Sequence, residues 1–159
     1  MNEWTAQLYA HAIAIETEAA QRYSDLGDAM AEQGQHSVAV LFFMLASFEA
    51  RHLRELTRRT AGRVLPDVNA DYSWREAEAP ETVNFGACVG QITAQRALLM
   101  ALEAEKRAKT FFQHAARVTK DPATRALARE MAEEEADHIV VVQRALERLV
   151  SHIKPSPGA

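Results

Sequence analysis

The chain has 159 residues, enough for one domain that buries a full core without disulfide or zinc staples. Hydrophobic residues make up 48% and charged residues 25%, which excludes a disordered chain, a collagen and an integral membrane protein. A net charge of −4, with no Lys/Arg-rich run, excludes the electrostatic footprint of a nucleic-acid binder.

Proline first appears at Pro66, so residues 1–65 form a long Pro-free stretch rich in Ala, Leu, Glu, Gln and Arg. Such a stretch reads as helix. A first helix is predicted from about Glu3 to Glu32, with Leu8, Ala12, Ile15, Ala19, Leu26 and Met30 at three- and four-residue steps. Gly34 stops it. A second is predicted from about Gln35 to Thr60, with Leu41, Phe42, Leu45, Phe48, Leu53 and Leu56 as apolar positions and Gly62 as its stop. A third spans about Thr93 to Thr119, with Thr93 as N-cap. Asp121-Pro122 then gives a cap residue followed by Pro in the first turn, opening a fourth helix from Pro122 to about Ile153. Residues 154–159 read as a mobile tail.

Short joins between helices one and two and between three and four make antiparallel neighbours. About thirty residues, Gly62 to Ile92, separate helices two and three. A connection of that length is unusual in a compact domain unless it runs the length of a bundle. The expectation is an all-α fold: residues 1–153 form an antiparallel four-helix bundle with one long crossover over 62–92.

Each helix places a glutamate among its apolar residues. Glu16 shares a face with Ala12, Ala19 and Tyr23; Glu49 with Leu45, Ala46, Leu53 and Leu56; Glu105 with Ala101, Leu102, Ala108 and Phe112; Glu135 with Met131, Ala132, Ile139 and Val142. An unpaired buried carboxylate costs several kcal/mol, and four of them converging also repel. Something cationic belongs among them. His52 follows Glu49 by three residues and His138 follows Glu135 by three, so each pair points to one side of its helix and can reach one ion. Oxygen and nitrogen donors of this kind suit iron, manganese or zinc. A Glu from each of two helices with Glu-x-x-His from the other two is the ligand set of di-iron and di-manganese carboxylate proteins.

With 16 glutamates and 6 histidines in the chain, chance placement gives fewer than one Glu-x-x-His. Two occur, on the second and fourth helices. The halves also repeat: Glu16-x-x-Ala19-x-x-x-Tyr23 parallels Glu105-x-x-Ala108-x-x-x-Phe112, and Glu49-Ala-Arg-His52-Leu53 parallels Glu135-Ala-Asp-His138-Ile139. This reads as a duplicated helix hairpin around a shared two-fold site.

On these residues the chain resembles the ferritin-like superfamily, and within it the rubrerythrin-like branch, over about residues 3–153. The resemblance implies a non-haem site for two iron ions that reacts with dioxygen or hydrogen peroxide. It implies that Glu49 and Glu135 bridge the ions, that Glu16 and Glu105 are terminal ligands, and that His52 and His138 bind one ion each. It places Tyr23 next to the site; read on its own, Tyr23 is equally a core aromatic with its hydroxyl satisfied. Departures are visible. Rubrerythrins carry a four-cysteine rubredoxin domain, whereas this chain has the single Cys88. They also carry an additional carboxylate three residues after the third-helix ligand, where Ala108 stands here. Electrons are therefore expected from an external donor protein. Only 21 residues follow His138, so the fifth helix of cage-forming ferritins is not expected, although an iron-handling ferroxidase or storage subunit is the alternative reading.

Glu18 and Glu103 read as surface residues paired across a helical turn. Glu134, four residues before His138, competes with Glu135 for the ligand role, but Glu135 is the one that matches Glu49 in the repeat. His11, His36, His114 and His152 have no Glu three residues before them and read as surface or core-edge residues. Phe42-Phe43-Met44 points apolar groups in more than one direction, so a homodimer through helices one and two is expected. Cys88 reads as a small buried hydrophobe, and Trp74 lies in the crossover. One cysteine, no basic-apolar leader and no bilayer-length apolar run make the cytoplasm the expected location.

Overall fold

The computed structural model describes residues 1–68 and 92–153. Most of the crossover, with Trp74 and Cys88, and residues 154–159 lie outside the described residues. Four helices are present among the described residues: α1 Glu3–Glu32, α2 His36–Arg59, α3 Ala94–Val118 and α4 Pro122–Ile153. Each lies within a residue or two of its predicted span.

The helix ends follow from local chemistry. Asn2 caps α1, its side chain accepting from the Thr5 N–H at 2.8 Å. Gly34 adopts φ +73° just beyond the α1 C-cap. Gln35 N–H reaches back to the Met30 carbonyl at 2.8 Å and Gly34 N–H to Ala31 at 3.0 Å. That is a Schellman closure, which requires a left-handed residue and so favours glycine. Thr93 caps α3 through Arg96 N–H. Asp121 caps α4, accepting from Thr124 N–H at 2.7 Å.

α1 packs along α2 and α3 along α4, and α1 also meets α3 and α4. The caps of α1 and α4 share one polar network. Thr5 and Thr124 join hydroxyls at 2.7 Å, and Thr5 also donates to Asp121 at 3.3 Å. The N-termini of α1 and α4 therefore lie at the same end. Consequently α2 and α3 also run in a common direction, and the chain must travel the length of the bundle between them. That is the distance covered by a 24-residue helix, about 36 Å. A cross-helix ion pair, Arg59 on α2 with Glu130 on α4, has both contacts at 2.6–2.8 Å.

The apolar core falls into two clusters. One holds Tyr23, Leu26, Met30, Phe42, Leu45, Leu98, Leu102 and Val142. The other holds Leu8, Ala12, Ile15, Leu56, Phe112, Leu127 and Met131. On every helix the residues of the two clusters are separated in sequence by the acids and histidines singled out above. The bundle is thus two hydrophobic blocks with a polar layer between them. Of the Phe42-Phe43-Met44 run, Phe42 is fully buried while Phe43 and Met44 face outward, as does Val40. Among the described residues, no helix is long and apolar enough to cross a membrane.

Candidate metal centre

Glu16, Glu49, His52, Glu105, Glu135 and His138 are all buried, none more than 6% exposed. They occupy the layer between the two apolar blocks, and all four helices contribute. His138 Nδ1 lies 3.0 Å from Glu49 Oε1, 3.5 Å from Glu105 Oε2 and 3.7 Å from Glu135 Oε2. His52 Nδ1 lies 3.7 Å from Glu16 Oε2 and 3.9 Å from Glu49 Oε2. Glu49 therefore stands between the two imidazoles, one oxygen turned to each. The two rings lie nearly parallel, 5.3 Å apart at 6°.

Several donor atoms approach one another without a well-aligned hydrogen bond. Both oxygens of Glu16, Oε1 of Glu49 and the Nδ1 atoms of His52 and His138 are buried without a hydrogen-bond partner. Buried polar atoms are almost always satisfied by protein or water. Lone pairs that converge on common points, rather than on each other's protons, have the geometry of a cation site. Two overlapping groups meet that description: Glu49, His52 and His138; and Glu49, Glu105, Glu135 and His138. Their atoms lie within 4.8 Å of one another and can hold a metal ion. Glu16 joins them through His52.

Electrostatics reflect the crowding. Burial pushes the Glu49 carboxyl up to about 10. Burial and the neighbouring Glu105 raise Glu135 as well. Burial would lower His138, but Glu105, Glu135 and Glu49 around it raise it to about 12. Burial would likewise raise Glu105; the His138 imidazolium beside it, Glu135 and the Tyr23 hydroxyl bring it below the ordinary carboxylate value instead. Without a metal, His138 thus acts as the cation of the layer. A metal ion held there would take over that role by displacing protons.

Tyr23 is buried and donates its hydroxyl to Glu105 Oε1. Burial and the Glu105 charge raise its pKa, so the proton stays on Oη. The matching residue of the second half, Phe112, has no hydroxyl. Glu18 and Glu103 are the surface residues expected, paired with Arg22 and with Lys106 (3.0 Å).

Two contacts were not legible in the sequence. Glu134, one-third exposed, places Oε1 3.6 Å from His52 Nε2, on the side of the ring away from Glu16 and Glu49. Phe48 stacks on the His138 ring at 5.8 Å and 12°. The sequence signal for both lies in the repeat: Phe48 precedes Glu49 as Glu134 precedes Glu135.

No protein-family profile matches the chain, and no curated protein matches it either. Among solved structures it is similar to the crystal structure of an uncharacterized conserved protein from Magnetospirillum magnetotacticum MS-1. The two are 32% identical with a TM-score of 0.77, and the match covers 97% of this chain and 97% of that one. The fold and site define a ferritin-like four-helix bundle with a buried Glu/His cluster. The chain belongs to the same family as the Magnetospirillum protein.

Proposed function

We propose that the protein is a non-haem di-iron protein of the rubrerythrin-like kind, reacting with dioxygen or hydrogen peroxide. The observation that carries the reading is the set of buried, hydrogen-bond-free donor atoms shared between two histidines by Glu49. Glu16, Glu49 and His52 would hold one ion; Glu49, Glu105, Glu135 and His138 would hold the other. Two ferrous ions bound there would supply one electron each to the oxidant.

This chain's residues supply the rest. Glu49, with an oxygen toward each imidazole, keeps the two positions adjacent. Leu45 and Leu102 on one side and Ile15 and Met131 on the other keep bulk water out. Exclusion of water strengthens every charge interaction inside. Tyr23 holds a proton at Oη and orients Glu105. The single Cys88 of this sequence cannot form an iron–sulfur cluster or a dithiol pair within the bundle, and an external donor protein is the proposed source of reducing electrons.

Anaerobic addition of ferrous ion to the apo-protein tests the reading. About two ions per chain are expected from the ligand set, oxidised together on exposure to peroxide or dioxygen and returned by a chemical reductant. Uptake far beyond two per chain would favour the storage reading. Absence of uptake, or uptake unaffected by His138→Ala, would overturn both.

A further inference from the structure

Between Glu105 and Asp121 the chain has five Lys or Arg residues and no Asp or Glu, in a sequence whose net charge is −4. Three of them, Lys106, Lys109 and Arg117, recur with Gln113 at steps of three, four and four residues along α3. Helical geometry puts that set within about 80° around the axis, in a stripe about 16 Å long. The turn after α3 adds Lys120, and Arg125 of α4 closes on it by donating to the Thr119 carbonyl at 2.7 Å. Lys106, Arg117 and Lys120 are exposed, and Lys109 is half-buried.

The helix dipole favours cations only in the last turn, which accounts for Arg117 and not for Lys106 or Lys109. An ordinary solvated face intersperses both signs. On α2, Arg58 and Arg59 pair with Glu55, and Arg59 also with Glu130. On α3, Lys106 pairs with Glu103, while Lys109, Arg117 and Lys120 form no ion pair among the described residues. The stripe also has a definite place relative to the buried layer. It begins at the residue after Glu105. The opposite flank of α3 carries Phe111, which meets His11 on α1. The stripe therefore faces away from α1, and a molecule seated on it stands one helix diameter, about 10 Å, from the layer that holds Glu105.

Resting on the di-iron reading above, we propose that this stripe docks an acidic one-electron carrier protein, the donor that the centre needs. A row of cations without carboxylate partners in the fold complements a carboxylate-rich surface, and such complementarity speeds encounter and fixes orientation. Each encounter oxidises the carrier by one electron, and two encounters return two ferric ions to the ferrous state. Electron-transfer encounters use small interfaces, and a stripe of this length is of that scale.

Calorimetry and stopped-flow mixing of the full chain with a plant-type [2Fe–2S] ferredoxin, an acidic carrier, and with cytochrome c, a basic one, test this. The chain is expected to bind ferredoxin at low ionic strength, with or without iron, to release it as salt rises, and not to bind cytochrome c. Lys106→Gln, Lys109→Gln and Arg117→Gln combined should weaken that binding by about tenfold or more, and slow reduction of the iron-loaded protein by reduced ferredoxin to the same extent. Arg54→Gln, Arg96→Gln and Arg144→Gln combined remove the same charge from exposed positions off the stripe and should leave both nearly unchanged. Reduced methyl viologen, a small cation that needs no docking surface, should reduce both variants as fast as wild type. Equal weakening by the two triple variants would overturn the proposal, as would binding indifferent to salt or a preference for cytochrome c. So would absence of ferredoxin binding, tighter binding to anionic vesicles or duplex DNA than to ferredoxin, or docking from which no electron reaches the loaded iron. A chain that takes up no iron would instead contradict the di-iron reading, and ferredoxin binding to the iron-free chain still decides whether the stripe docks an acidic carrier.

Discussion

Tyr23 on α1 donates its hydroxyl to Glu105 on α3, across the bundle from its own hairpin. The bond ties the two halves together at the polar layer and gives one buried carboxylate a donor that its counterpart Glu16 lacks. Tyr23→Phe keeps the ring and its stacking on Phe42 but strips Glu105 of that donor. The apo-protein should lose about 1–3 kcal/mol, the usual cost of orphaning a buried polar group, read from urea unfolding. An unchanged midpoint would mean that the hydroxyl contributes nothing to the layer.

Glu16 gives the opposite expectation. It is fully buried, without a donor of the kind Tyr23 gives Glu105 and with only His52 at 3.7 Å as a cationic neighbour, so without metal its burial is poorly compensated. Glu16→Leu should raise apo stability by about 1–4 kcal/mol while weakening metal uptake. Melting curves with and without metal check both halves. A destabilised apo-protein would show that Glu16 has a structural role independent of any ion.

Apo stability should depend on pH in a definite sense. His138 is raised to about 12 from 6.5 and Glu49 to about 10 from 4.5. Both hold protons in the fold that the unfolded chain has already released. The His138 contribution is fully present below pH 6.5 and is lost as pH climbs toward 12. The Glu49 contribution is fully present below 4.5 and is lost as pH climbs through 10. Glu105, lowered, contributes above its ordinary value and loses that contribution in acid. The apo-protein should therefore melt progressively lower between pH 6.5 and 10. Bound metal replaces those protons, so the loaded protein should be protected most at the alkaline end of that window. Thermal melts across the range, with and without metal, decide it; a flat apo profile would contradict the coupling drawn here.

Much of this was legible in the sequence because each feature has a local cause. The four helices followed from three- and four-residue apolar steps and from end signals such as Gly34, Thr93 and Asp121-Pro122. The order of short, long and short connections carried the topology. The six acids and histidines stood out because Glu16 and Glu49 interrupt faces that burial requires to be apolar. Glu134 was visible only as a rival to Glu135 for the ligand role and Phe48 only as an apolar position, because their contacts with the imidazoles depend on how α2 and α4 face each other. That long-range relation is not written in either helix alone. Once the helices are paired, the repeat shows where the two halves part company, at Phe48 against Glu134 and Tyr23 against Phe112.

Two metal ions are proposed to sit between the helices. Crystals of the iron-loaded protein, with anomalous diffraction measured on both sides of the iron absorption edge, test it most directly. Two peaks per chain are predicted. One should lie among Glu16, Glu49 and His52, the other among Glu49, Glu105, Glu135 and His138. No peak in that layer, or iron bound only at surface carboxylates, would contradict it.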